Sequence, residues 1–178
     1  MVEYVIIIEF LRIEVFFCLF LSMESFSKES KMRKFALVKG APADTILPRR
    51  STKGSAGYDI FIPCDLAVPP HGFSEMIRLN IKVYMEPDEF FAMYMRSGLA
   101  TTKGKMKITQ GTAIIDSDYV DNPTNDGNIG LVFQNCSDEW FYFKKGDRCA
   151  QGIFQKYYLT DDDDCQEERY DGFGSTGR

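Results

Sequence analysis

The sequence has one histidine, His71, and five cysteines, Cys18, Cys64, Cys136, Cys149 and Cys165, none paired in a CxxC. Zinc centres need His and Cys clustered at short spacings, so a zinc site is excluded and the cysteines read as reduced thiols of a cytoplasmic protein. Basic residues are in the minority, 21 Lys and Arg against 26 Asp and Glu. The net charge of -5 argues against duplex DNA or another long polyanion as a general partner. Long apolar runs are also missing. The first 21 residues are strongly apolar, but Glu3, Glu9, Arg12 and Glu14 interrupt them. The uncharged run from residue 15 to 22 falls far short of the roughly 20 residues a bilayer requires. A signal peptide would want a basic start and a small-residue cleavage site, and the glutamates exclude an Arg-rich transit peptide. Residues 1–31 therefore have three readings: an appended helix, a weak membrane-surface anchor, or an upstream start, with Met23 and Met32 as later starts. The last fits best, because the chain from Met32 onward explains itself without them.

What is present is a strand-rich text of one domain in 178 residues. Aromatics reach 14%, and Val, Ile and Thr abound, a composition that leans towards strands. The stretches FALVKG, AGYDIFIP, FSEMIRLNIKVYM, EFFAMYM, KMKITQGTAIID, IGLVFQN, EWFYF and CAQGIFQKYYLT are short, partly alternating and bounded by Gly, Pro and Asn. About nine short strands without a long amphipathic helix predict an all-β antiparallel sandwich or barrel over residues 32–160. One exception is SGLATTKG, where Ser97 is placed to cap a single helical turn that Gly104 ends. Residues 161–178 form an acidic run, DDDDCQEE, and a glycine-rich tail, read as a linker and a flexible arm.

Five short stretches carry possible chemistry. RSGLA (96–100) sets an arginine, a hydroxyl and a glycine at a strand-to-helix junction, an anion site or a plain turn. GFGSTG (172–177) offers backbone N–H groups, two hydroxyls and an aromatic ring, a phosphate wrap or a frayed end. GDRCAQ (146–151) is a turn entering a strand. AGYDI (56–60) puts Asp59 among apolar neighbours, paired structurally or helping to hold a metal. GTAIIDSDY (111–119) ends an apolar strand in Asp116, a candidate general base whose surroundings disfavour charge. Singly, none of these decides anything.

In order, the five stretches resemble the five motifs of the homotrimeric dUTP pyrophosphatases (dUTPases) of bacterial or phage type, over roughly residues 35–178. The resemblance implies a distorted jelly-roll or β-clip barrel with one short helix, three subunits forming three shared sites, and a C-terminal arm that closes over them. It implies hydrolysis of dUTP to dUMP and pyrophosphate, which keeps uracil out of DNA and supplies dUMP for dTMP synthesis. Asp116 would activate the water that attacks the α-phosphorus. Tyr119 would lie under the deoxyribose and reject a 2′-hydroxyl. The hairpin at Gln110, Gly111 and Thr112 would read uracil through its backbone. Arg96, Ser97, Gly98 and Gln151 would hold phosphate oxygens, and Asp59 would order a water on a Mg2+ ion carried mainly by the triphosphate. Phe173 and Gly174 would cover the uracil, with Ser175, Thr176 and Arg169 at the γ-phosphate.

The sequence departs from the family pattern in three places. Met95 stands where proline usually precedes the motif-two arginine. Arg169 sits one position closer to Phe173 than usual, with Asp171 where glycine is common. Val120 to Asp126, VDNPTND, is an apparent insertion after Tyr119, read as a longer surface loop. Arg148 is read as structural. A dCTP deaminase would share the fold but needs a glutamate and usually lacks the glycine-rich tail; a phage-type regulatory protein would use the insertion as a binding surface.

Overall fold

A computed structural model describes residues 32–101, 105–167 and 169. Among them are twelve strands and one short α-helix, the all-β architecture expected. The strands are β1 (Lys34–Leu37), β2 (Tyr58–Phe61), β3 (Leu66–Val68), β4 (Ile77–Arg78), β5 (Ile81–Tyr84) and β6 (Glu89–Met95). After α1 (Ser97–Thr101) come β7 (Met106–Ile108), β8 (Ala113–Asp116), β9 (Gly130–Leu131), β10 (Phe133–Asn135), β11 (Phe141–Phe143) and β12 (Arg148–Lys156). A four-stranded sheet, β2-β12-β6-β8, is joined by four antiparallel pairs: β1-β5, β7-β10, β3-β11 and β4-β9.

Several predicted strands are interrupted, each for a local reason. FSEMIRLNIKVYM splits into β4 and β5 because Asn80 adopts φ 62°, a left-handed conformation that ends the ladder. KMKITQGTAIID is two strands with Gly111 at φ 73° between them. These strands do not pair with each other: β7 joins β10 and β8 joins β6, so the segment around Gln110 is a corner between sheets, not a hairpin. The strand β3 was not anticipated; three residues before a Pro-Pro turn give little periodicity to read. The helical turn of SGLATTKG forms, but its first bond runs from Ala100 N–H to Arg96 C=O at 3.0 Å. Arg96, not Ser97, is therefore the cap residue. Gly104 lies outside the described residues.

The inner face of the four-stranded sheet carries the core. Ile60, Phe91, Met93 and Ala150 are each 0% exposed and pack with Ile115 and Ala113. Phe91 lies opposite Phe154, and its ring reaches the diagonal neighbour Gly152 on β12. A Cβ on Gly152 would stand 2.0 Å from Phe91 Cζ, so only glycine lets the ring lie flat on the strand. Phe35 and Phe154 flank the same ring at centroid separations of 5.3 and 4.9 Å, and Tyr58 packs edge-on against both of them. At the far end of β6, Glu89 is 4% exposed and accepts two bonds from the Arg33 guanidinium, one at 2.7 Å.

That Arg33 hydrogen bond holds the Glu89 carboxyl below its ordinary value of 4.5. A carboxyl with a lowered folded-state pKa stabilises above its unfolded value and loses that contribution as pH falls through the folded one. Denaturant titrations of Glu89→Gln should thus show lower stability than the native chain at neutral pH, with the gap closing as pH drops below 4.5. Gly152→Ala is expected to destabilise by about 1–3 kcal/mol through overpacking against Phe91. An unchanged unfolding midpoint would show that the ring is free to move aside.

Candidate active site

The register of the four-stranded sheet decides where the motif residues stand. On β12, Gln151 lies opposite Asp59 on one side and Tyr94 on the other. Side chains directly opposite share a face, and so do residues two apart on one strand. Asp59, Gln151, Tyr94 and Arg96 are therefore on one face, opposite to the core. Arg148 would fall on the other face of a regular strand. A bulge between Arg148 and Ala150 shifts the count by one, so that Arg148 stands opposite Phe61, two residues from Asp59.

The result is one carboxylate shared by two guanidiniums. Asp59 Oδ1 lies 3.1 Å from Arg96 Nε, and Oδ2 lies 3.4 Å from Arg148 Nη1 while accepting a bond from the Ser51 hydroxyl. The Asp59 side chain is 12% exposed against 30% for Arg96 and 47% for Arg148, so the acid anchors and the bases look outward. Arg96, Gly98 and Arg148, with Leu99, Phe141, Tyr142, Phe143 and Asp147, line a cavity of about 730 Å³. Ser97 and Gly98 are exposed at its rim. The cavity carries net positive charge beside an apolar wall, suited to an anion attached to a planar or apolar group. Cys149, next to Arg148, is fully buried; burial pushes its thiol up to about 12, and it takes no part in this chemistry.

Asp116 stands at the other end of the same face. Its partner on β6 is Phe90, six residues before Arg96. At about 3.3 Å per strand residue the two clusters are about 20 Å apart within one chain. Asp116, Ser117 and Asp118 line a second cavity of about 440 Å³ with Phe90, Ile114, Tyr157 and Arg169. The apolar frame is one-sided: the Asp116 side chain is 52% exposed. Arg169 bonds Asp116 Oδ2 through Nη2 at 2.5 Å and Asp118 Oδ1 through Nε at 2.9 Å. Its guanidinium lies 6.0 Å from the Tyr119 ring centroid, within cation–π range.

Gln110, Gly111 and Thr112 form an outward corner, closed by bonds from Gly111 N–H to Ile108 C=O and from Thr112 N–H to Gln110 C=O. Tyr119 is 7% exposed and joins the core. Val120 to Asp126 is a run of turns with Asp121, Pro123 and Thr124 at the surface, tied down from within by Asn122, which is 5% exposed and bonded throughout. Phe173, Gly174, Ser175 and Thr176 lie outside the described residues. Two residues not among the expected site residues, Arg148 (read as structural) and Asp118, are part of these clusters. The bulge that turns Arg148 outward left no mark in the sequence, whereas the spacing of Asp118 from Asp116 was visible.

The family described as dUTPase matches residues 43–177. The chain belongs to the dUTPase family. A dUTPase of Lactococcus lactis is 39% identical over 150 residues, covering 83% of this chain and 99% of that one. The crystal structure of a Streptococcus mutans dUTPase superposes with a TM-score of 0.66 at 28% identity, over 71% of this chain and 98% of that one. A dUTPase from phage phi11 of S. aureus, which coordinates a structural Mg(II) ion, shares the fold with a TM-score of 0.59 at 19% identity, over 76% of this chain and 97% of that one. Among the described residues no helix is long and apolar enough to cross a membrane. Nor do any three His, Cys, Asp or Glu there converge on a metal.

If Arg148 is a second anion ligand of this dUTPase, removing it weakens anion binding without unfolding the chain. Arg148→Ala is expected to bind inorganic tripolyphosphate about tenfold more weakly by calorimetry, the worth of one charged hydrogen bond. Unchanged affinity would return Arg148 to a structural role.

Proposed function

We propose that this chain hydrolyses dUTP to dUMP and pyrophosphate in a homotrimer, each site drawing on more than one subunit. The observation that carries the shared site is the separation of about 20 Å between Arg96 and Asp116 along one sheet face. A base acts within hydrogen-bond reach of its target, about 3 Å, or through one water. Arg96 has to touch oxygens of the same triphosphate, and a triphosphate is much shorter than the gap. One chain supplies a phosphate-binding half-site and a base half-site, and a second copy brings them together. The exposed apolar residues on that face support the same reading: Ile114 is 59% exposed, and Phe90 and Tyr157 stand beside it.

In the assembled site, an Asp116 oxygen takes a proton from water as the water oxygen attacks the α-phosphorus. The bond from that phosphorus to the bridging oxygen breaks in line, and pyrophosphate leaves. Arg96, Arg148, Ser97, Gly98 and Gln151 hold the phosphate oxygens. The ring of Tyr119 stands under the sugar and leaves no room for a 2′-hydroxyl, while the backbone at Gln110 to Thr112 reads the uracil edge. Arg169 occupies Asp116 when nucleotide is absent and is free to turn to the γ-phosphate when it binds. Phe173, Gly174, Ser175 and Thr176 close the site as an arm.

Both oxygens of Asp59 are already engaged by Arg96, Arg148 and Ser51. With both oxygens taken, Asp59 would hold a Mg2+ ion carried by the triphosphate only through the waters that this ion keeps. When bound, Mg2+ supplies neutralisation of phosphate charge.

Two measurements test this. Pyrophosphate release should be selective for dUTP over dTTP, dCTP and UTP, and Asp116→Asn should lower it by about 10²–10⁴-fold, the usual worth of a general base. Ammonia from dCTP would instead indicate a deaminase. Co-refolding Arg96→Ala with Asp116→Asn, each inactive alone, should restore part of the activity, because mixed assemblies contain sites with both native residues. No recovery from well-mixed oligomers would contradict the shared site.

A further inference from the structure

The segment after Tyr119 is built as a closed ring around that tyrosine's hydroxyl. Asn122, 5% exposed, donates from Nδ2 to the Tyr119 carbonyl at 2.8 Å and to Asn125 Oδ1 at 2.9 Å. Its Oδ1 accepts from Thr124 N–H, the Thr124 hydroxyl and Asn125 N–H. This fixes Asn125, whose Nδ2 donates to Tyr119 Oη at 3.1 Å, while the tyrosine hydroxyl donates to Asn128 C=O at 3.1 Å. The end of the phenol ring is thus held from two sides by the loop.

The neck of the ring is closed by charge. The Lys82 side chain, 12% exposed, pairs with Asp121 at the start of the loop and with Asp126 at its end, the latter at 2.8 Å. Burial works against the Lys82 ammonium, but the two carboxylates outweigh it and hold its pKa above the ordinary value. Asp121 and Asp126 both adopt left-handed φ, 56° and 58°, the strained conformation a tight neck demands. At Gly127, φ 75°, a Cβ would come within 2.9 Å of Val120 Cα, so the two ends of the loop touch. Asn128 also accepts Asn80 N–H at 3.0 Å and ties the ring to the break between β4 and β5.

A loop this closely satisfied holds the tyrosine ring at one height and tilt. We infer that residues 120–128 are a positioning device for Tyr119, and that Asn125, through the tyrosine hydroxyl, sets how strictly the enzyme refuses a 2′-hydroxylated sugar. The inference rests on the reading of Tyr119 as the residue under the deoxyribose. Asn125 itself touches no substrate. Loosening the phenol lets the ring sink and makes room for the extra oxygen, so UTP gains relative to dUTP.

The readout is the ratio of kcat/KM for dUTP to that for UTP, which a general loss of stability does not move. Asn125→Ala is expected to lower it by about fivefold, the worth of one neutral hydrogen bond. The same change in a Tyr119→Phe background should have no further effect, since the atom it acts through is gone. Should Asn125→Ala fail to fold, Asp126→Asn loosens the neck at the surface and should move the ratio in the same direction. Tyr119→Ala separates the two readings. If it lowers the ratio while the loop variants leave it unchanged, the loop has no positioning role and the inference is overturned. If Tyr119→Ala itself leaves the ratio unchanged, the tyrosine does not face the sugar, and both readings fall.

Discussion

The ladder of hydrogen bonds that seats β6 between β12 and β8 sets everything else in this molecule. Its register puts Tyr94 opposite Gln151 and Phe90 opposite Asp116, and so strings the polar motif residues along a single face. Because side chains alternate, the same register sends Phe91 and Met93 into the core, and a slip of one residue would exchange core and site. The glycine under Phe91 is therefore tied to function although it touches no nucleotide. It lets β6 and β12 pack in the one register that gives the outer face its order.

Along that face the chemistry is divided. One end gathers cations around a nearly buried carboxylate, with Asp59 keeping Arg96 and Arg148 apart and aimed outward. The other end gathers two carboxylates around one cation, Arg169. Each end pairs opposite charges within itself and keeps an excess of one sign, positive around Asp59 and negative around Arg169. In the function proposed above, a polyanion with its own cation would displace Arg169 from Asp116 and bring phosphate to Arg96. The trimer proposed above turns two complementary half-sites on separate chains into one.

Much of this was legible. The all-β class followed from short alternating runs, and the five motif stretches pointed to the family before any contact was known. The helix after Arg96 was foreseen, whereas the break at Gly111 was read as a hairpin and proved a corner between sheets. What escaped depends on geometry that period counting does not carry. The bulge near Cys149 changes the face of Arg148 without changing a residue type. Asn80 ends a ladder by adopting positive φ, which asparagine does in some contexts only. The pairing of β7 with β10 rather than β8 is a long-range choice. The segment 120–126 reads as a surface loop because Asn, Pro and Asp favour turns, but that its side chains satisfy one another around Asn122 no composition rule foretells.

The central claim is that one nucleotide is gripped by Arg96 and Asp116 from different copies of the chain. The most direct measurement is a crystal structure with a non-hydrolysable dUTP analogue and Mg2+. The account predicts phosphate oxygens on Arg96 of one subunit, with Asp116 of another facing the α-phosphorus. A nucleotide contacting both residues of a single chain, with the β6–β8 register intact, would contradict it.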